Sequence, residues 1–417
     1  MRAAVIFLYL LYLAAASANA AKNLVLVGGG LSDHNEAIWN EVVSLAGGRG
    51  VAKIGVVTTA SSDPWDSYLY YDNMFVNEYG AASTYYVPIT VNSKEKNSDP
   101  DVVNNIHQQT GFFFGGGDQS RVTESWFLSG RVESPALIAL KERYAAGAVI
   151  GGTSAGTACQ SSSVMVTGGL SWQGLVYGAC ACTSHPDDPR DGLTYDPDGG
   201  LGVIDDVVLD THFSERGREG RLIRLVADTM GQSRGAELGI GVDENTALVI
   251  YNVGTNYQWG LVLGEHGVFF ADLDHAVIGS NPNMFTIQYV DCHYLTEKDE
   301  YDFYSGEITF ASYKTNLIGD EMYSKAITSS NVFSHPDRRP RQYGEFKRVA
   351  VNLFDSKDDT YTCGRSYMSN PYYYVDFFQI GKSKAYHGSH PNYGHHQISY
   401  SDMEIDMFRS SHSNCGL

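Results

Sequence analysis

The sequence predicts an α/β protein built on a parallel sheet with helices on both faces. Two observations carry this. From Lys22 to Ile150 short apolar runs alternate with stretches that carry helix signals, the pattern of strands joined by crossover helices. Three of the runs end in glycine clusters, Gly28–Gly30, Gly115–Gly117 and Gly151–Gly152. Parallel sheets gather their sites at such carboxyl ends. With 417 residues, 43% of them hydrophobic, the chain can bury a sizeable core in one large or two moderate domains.

The elements follow in order. "NLVLVGGG" (23–30) reads as a strand running into glycines. Asp33 with Glu36 three residues on resembles a capping box for a helix through Val43. "VAKIGVVTTA" (51–60) is the next strand, followed by a helix over 65–79 and a strand over 83–90. A helix over 101–109, the strand "TGFFFGGG" (110–117) and a helix over 134–146 follow, and 148–150 is a short strand feeding "GGTSAG". The first glycine cluster does not make a dinucleotide site. A G-x-G-x-x-G from Gly28 would need glycine where Asp33 stands, and the second strand ends in "VTTAS" rather than in an acid for a ribose.

The N-terminus, "MRAAVIFLYLLYLAAASANA", has the basic start, short apolar stretch and small-residue end of a secretory signal peptide, residues 1–20, cut after Ala20. The expected localisation is therefore secreted and extracellular. Six cysteines in an oxidising compartment suggest disulfides; Cys159, one helical turn past Ser154, reads instead as a small buried residue. No zinc spacing and no EF-hand loop occurs, even in the Asp- and Pro-rich stretch 184–200, so neither a metal nor a cofactor is expected. A formal net charge of −19 argues against nucleic-acid and anionic-membrane partners. After Asn281 the texture changes: the remainder holds 15 of the 28 tyrosines and seven of the 13 histidines. The domain reading is 21–285 for the α/β part and 286–417 for a β-rich C-terminal extension.

The chemistry-bearing residues lie at the turns. Gly152-Thr153-Ser154-Ala155-Gly156 is G-x-S-x-G, the nucleophile elbow when it joins a strand to a helix. In "LDTHFSERGREGRL", His212 stands two residues after Asp210 and is followed by Arg216, Arg218 and Arg221; "GIGVDENTAL" places Asp243 and Glu244 at another strand end. A serine needs a base, histidine titrates in the right range, and a carboxylate fixes the imidazole tautomer. Taken singly, each has a plainer role: Ser154 as a helix cap, His212 as a buried structural histidine, Glu244 as an ion-pair partner.

"FFFGGGDQSR", "GGTSAG", "DTHFSERGREGRL" and "GVDENTAL", in this order, resemble the cyanophycinase family of serine peptidases, with aspartyl dipeptidase a more distant relative. The resemblance covers Asn23 to the 280s and stops before the extension. It implies a flavodoxin-type, class I glutamine-amidotransferase-like sheet, a homodimer, and a peptide substrate of the β-Asp-Arg type. It makes Ser154 the nucleophile, His212 the base and Glu244 the acid, and it places Gln119, Asp210, Arg216, Arg218 and Arg221 against substrate. The N–H groups of Gly116, Gly117 and Ala155 are the expected oxyanion donors. Thr211 departs from the glutamine usual between the Asp and the His, and Thr157 from the usual alanine after "SAG". The reading is thus a secreted serine exopeptidase for aspartyl peptides. Its rival is a secreted acidic matrix protein that keeps the fold without the activity. With three cysteines on each side of residue 285, full pairing would need a bridge from extension to core. The expectation is a covalently docked extension that supplies no catalytic group, and a core that carries the chemistry alone.

Overall fold

The structure, a computed structural model, describes residues 20–281, 284–335 and 344–409. The expected signal peptide, up to residue 19, and Cys415 lie outside the described residues. The expected α/β sheet is present. Five parallel strands lie side by side in the order Ser83–Tyr86, Lys53–Val57, Gly111–Phe114, Val149–Thr153 and Leu24–Val27. Period-two alternation sends successive side chains to opposite faces. Leu24 and Leu26 join Phe112, Phe114 and the helix residues Ile106, Leu137 and Leu140 in one core. Val25 and Val27 join Ile38, Trp39, Val42 and Phe75 in another. Each such buried side chain contributes about 1.5–3 kcal/mol against leaving it in water.

The helices sit near their expected places, at Glu36–Leu45, Pro64–Asp72, Pro100–His107 and Pro135–Ala145. A short one at Gln119–Trp126 follows the second glycine cluster. The first helix is capped by Asn35, whose side chain accepts from the Ile38 N–H, and not by Asp33. Asp33 accepts instead from the Tyr70 hydroxyl.

Two features were not expected. The first sheet does not stop at Leu24–Val27 but continues with antiparallel strands Thr246–Tyr251, Trp259–Gly264, Glu300–Asp302 and Ile308–Thr309. A second sheet then runs Val207–Thr211, Leu238–Val242, Gly267–Asp272, Ile287–Thr296, His396–Phe408, Tyr374–Ser389 and Thr315–Asn316. Its first pair is parallel and the rest antiparallel. Ile240, Val242, Val268 and Phe270 of this sheet share a core with Leu26, Leu248, Ile250 and Val262 of the first, so the sheets are packed layers. The far face of the second sheet is covered by Leu175, Leu222, Val226, Phe346, Val349 and Leu353 from three helices.

The C-terminal part is strand-rich, but the boundary expected at 285 falls inside the second sheet. The second half of Ile287–Thr296, from Asp291 on, pairs with the whole of Gly267–Asp272. Nor is a bridge to the core what docks it. Cys180 is bonded to Cys182, and Cys159 is free and buried, so no cysteine before residue 285 reaches the extension. Cys292 is likewise free and buried. Strand pairing and a shared core do the docking.

Candidate active site

The elbow is built by close packing. Val149–Thr153 runs straight into a single turn of helix at Ala155–Ala158, and Ser154 between them holds φ 55°, ψ −117°. A non-glycine residue there costs about 1–3 kcal/mol and persists only where its surroundings over-determine it. Those surroundings are visible. Ser154 N–H donates to Val27 O at 3.0 Å, and the Thr157 hydroxyl lies 2.7 Å from both Val27 O and Gly152 O. The departure at Thr157 thus ties the turn to its neighbouring strand. A Cβ on Gly152 would come within 2.2 Å of Gly156 O, and one on Gly156 within 2.1 Å of Phe114 O. That closeness is why the serine is flanked by glycines.

His212 and Glu244 arrive from the second sheet. His212 follows Val207–Thr211 with φ 47°, and Glu244 follows Leu238–Val242. Ser154 Oγ lies 2.7 Å from His212 Nε2, and His212 Nδ1 lies 2.6 Å from Glu244 Oε1. Gly29 of the first glycine cluster makes the room: a Cβ there would sit 2.2 Å from the His212 ring. Burial holds the imidazole below the ordinary histidine value; Glu244 pulls it up, while the charges of Arg216 and Arg218 press it further down. The group is therefore neutral, ready to accept a proton, at neutral pH. Asp243 faces away into the protein. It accepts from Ser214 N–H at 2.9 Å, the Tyr294 hydroxyl at 2.7 Å and Lys347 Nζ at 3.1 Å.

Ser154 and His212 open onto a cavity of about 680 Å³ lined by Gln119, Asp210, Thr211, Arg216, Arg218 and Arg221, among others. The three arginines are not equivalent. Arg221 grips the buried Asp210 with Nε and Nη2 at 2.7 and 2.6 Å and donates to Gly169 O. Arg218 donates to Asp210 and to Thr211 O. Burial raises the cost of the Asp210 charge, but the two guanidinium groups hold its carboxyl below the usual range. Arg216 has no ion pair or hydrogen bond to its side chain among the described residues. It is the one of the three arginines that leaves Asp210 alone. Gln119 donates to Val166 O at 2.6 Å. Gly116 and Gly117 follow the Gly111–Phe114 strand beside the elbow, with a Cβ on Gly116 3.5 Å from that of Ser154. Their N–H groups donate to no backbone carbonyl. Ala155, as first helical residue, has no intrahelical acceptor.

Residues 24–257 match the pattern that defines Peptidase family S51. The chain belongs to peptidase family S51. It is 29% identical over 293 residues to a cyanophycinase of Nostoc sp., covering 68% of this chain and 87% of that protein. A cyanophycinase of Geminocystis herdmanii is 31% identical over 232 residues, 55% of this chain and 74% of that protein. Among solved structures, a peptidase from an acI-B1 Actinobacterium aligns over 68% of this chain and 97% of its own, with a TM-score of 0.44 and 18% identity. By family, then, this S51 chain is a serine-type peptidase.

Sequence reasoning missed how the S51 region is completed. Tyr294 and Lys347 lie outside the matched residues, yet both hold Asp243, the neighbour of Glu244. Around them Glu215 accepts from Glu244 N–H, and burial pushes its carboxyl up to about 7. Burial opposes the Asp243 charge too, but Lys347, Tyr294 and Ser214 hold it down. A lone lysine on a helix gives no sequence signal of this kind. Its only hint is that its helix, Glu345–Phe354, buries Phe346, Val349, Ala350 and Leu353 on one face. Among the described residues no group of acidic, histidine or cysteine side chains is arranged to hold a metal ion, and no helix is long and apolar enough to cross a membrane.

Proposed function

We propose that this chain is a secreted serine exopeptidase that hydrolyses aspartyl peptide bonds, of the β-Asp-Arg kind found in cyanophycin, through Ser154, His212, Glu244 and an acyl-enzyme. The observation that carries the reading is the hydrogen-bonded chain Ser154–His212–Glu244 opening onto a charged cavity with one unpaired cation. Ser154 Oγ attacks the scissile carbonyl carbon as its proton passes to His212 Nε2. The carbonyl oxygen becomes an oxyanion, held by the N–H groups of Ala155 and Gly117, the Gly116 N–H being directed at the Tyr71 hydroxyl; each donor is worth about 3 kcal/mol. Glu244 stabilises the imidazolium and keeps Nδ1 protonated. Collapse breaks the C–N bond, and His212 gives its proton to the leaving amine. Water, deprotonated by His212, then attacks the acyl-enzyme and restores Ser154.

The substrate preference rests on charge. Arg216 binds a substrate carboxylate, with Arg218 beside it. Asp210 is already occupied by two arginines, so a substrate guanidinium turns to Asp118 at the cavity wall. The test is incubation of the purified chain with cyanophycin and with β-Asp-Arg, β-Asp-Lys and α-Asp peptides. Release of β-Asp dipeptides by wild type and not by Ser154→Ala is expected; a folded chain inert on all of them points to the non-catalytic rival. Secretion is checked by the N-terminus of material exported from cells, expected at Ala21.

A further inference from the structure

Ser154 and His212 also line a second cavity, of about 300 Å³, distinct in chemistry from the first. Its remaining side chains include Leu31, Trp39, Tyr70 and Tyr71, and no aspartate, glutamate, lysine or arginine lines it. The charged cavity, which shares only Ser154 and His212 with it, carries aspartates and the arginines. The polar tips of the aromatic wall are engaged elsewhere. Trp39 Nε1 donates to Ser32 O at 3.0 Å, and the Tyr70 hydroxyl donates to Asp33 Oδ1 at 2.6 Å. The Tyr71 hydroxyl lies by the Gly116 N–H. What remains for a ligand is the ring of Tyr70, the small accessible part of Tyr71 and the Leu31 side chain, with one unpartnered hydroxyl, that of Thr153, in the same wall. Trp39 and Tyr71 are buried, whereas Tyr70 is 40% exposed at the mouth, edge-on to Tyr71 with ring centroids 5.1 Å apart. The wall is thus preformed, and its size suits one side chain rather than a polymer.

A peptide attacked by Ser154 must continue on both sides of the scissile bond, and the nucleophile stands where the two cavities meet. We propose that the second cavity is the subsite for the substrate residue across the scissile bond from the charged cavity, and that it takes an apolar or aromatic side chain. This rests on the peptidase reading above. A charged side chain would lose its water there without gaining a partner. An apolar one sheds water against rings already in place. Among aspartyl peptides, those whose residue across the bond is apolar are then preferred.

The test is a peptide series with a constant aspartyl side and Phe, Leu, Gly, Asp or Arg across the bond. Phe and Leu should exceed Gly and Asp in kcat/KM by about tenfold or more, and Tyr70→Ala should collapse that ratio, chiefly through KM. Affinity of the Ser154→Ala protein for the same peptides gives the order without turnover. A flat series, one led by Asp or Arg, or a preference surviving Tyr70→Ala overturns the subsite. If no peptide is cleaved while the binding order still favours Phe and Leu, the subsite stands and the peptidase reading falls. Turnover with a flat order has the opposite meaning.

Discussion

The two sheets divide the work unequally. The first presents Ser154 from a local device: one strand, one strained turn and one helical turn within ten residues. The second presents His212 and Glu244 from a non-local one. His212 and Glu244 lie at the ends of neighbouring strands whose sheet is completed only by residues 287–408. The first half of the site depends on a motif. The second depends on a whole layer and on side chains from outside the matched S51 region.

That contrast can be broken at several depths. Ser154→Ala removes the local device and should lower kcat by on the order of 10⁴–10⁶ in a protein that still folds; near-normal turnover in single-turnover assays would end the serine-peptidase reading. Glu244→Gln should lower kcat by about 10³–10⁴ by losing the tautomer and the charge. If Glu244→Gln stayed active while a folded Asp243→Asn did not, the acid would be assigned to the wrong neighbour. Ending the chain at Ser280 strips Gly267–Asp272 of its pairing strand and Asp243 of Tyr294 and Lys347. The outcome now expected is an unfolded or inactive product, assessed by circular dichroism and activity together. A folded, active truncation would restore the view that the core suffices.

Smaller effects sharpen the comparison. Lys347→Met leaves Asp243 buried against Glu215 with its cation gone. It should destabilise by about 3 kcal/mol and reduce kcat more than it changes KM, with Lys347→Arg partly restoring both. A loss of stability alone, with kcat intact, would make Lys347 merely structural. The pH profile is the mildest test. His212 must be neutral to act as base, and burial with Arg216 and Arg218 holds it below the ordinary value of 6.5. The acid limb of kcat/KM should therefore lie below 6.5. Arg216→Ala removes a positive charge, makes the imidazolium less costly and should move that limb up, while raising KM on the order of tenfold.

The sequence showed the first sheet well because its evidence is local. Leu24–Val27 and Gly111–Phe114 are apolar runs ending in glycines, and Ser154 sits in a pattern that only close backbone packing demands. The second sheet was hidden because its strands pair across long separations. Gly267–Asp272 and Ile287–Thr296 look like independent β segments until their register is known. Asp243 and Glu244 were separable only by resemblance; the structure points one at His212 and the other at Lys347. Three neighbouring arginines looked alike in the sequence, and pairing with Asp210 distinguishes them.

Cys159 and Cys292 turn the two layers into two clocks. Each is a free thiol fully shut off from solvent, one directly after the elbow helix and one inside the second sheet. Burial raises both thiols well above their ordinary range, so neither is reactive while its surroundings stay closed. An alkylating reagent then reads the opening of one layer at Cys159 and of the other at Cys292, in the same unaltered molecule. Labelling at one rate would mean that the Ser154 and His212 sides of the site are lost together; labelling at two would show which lets go first.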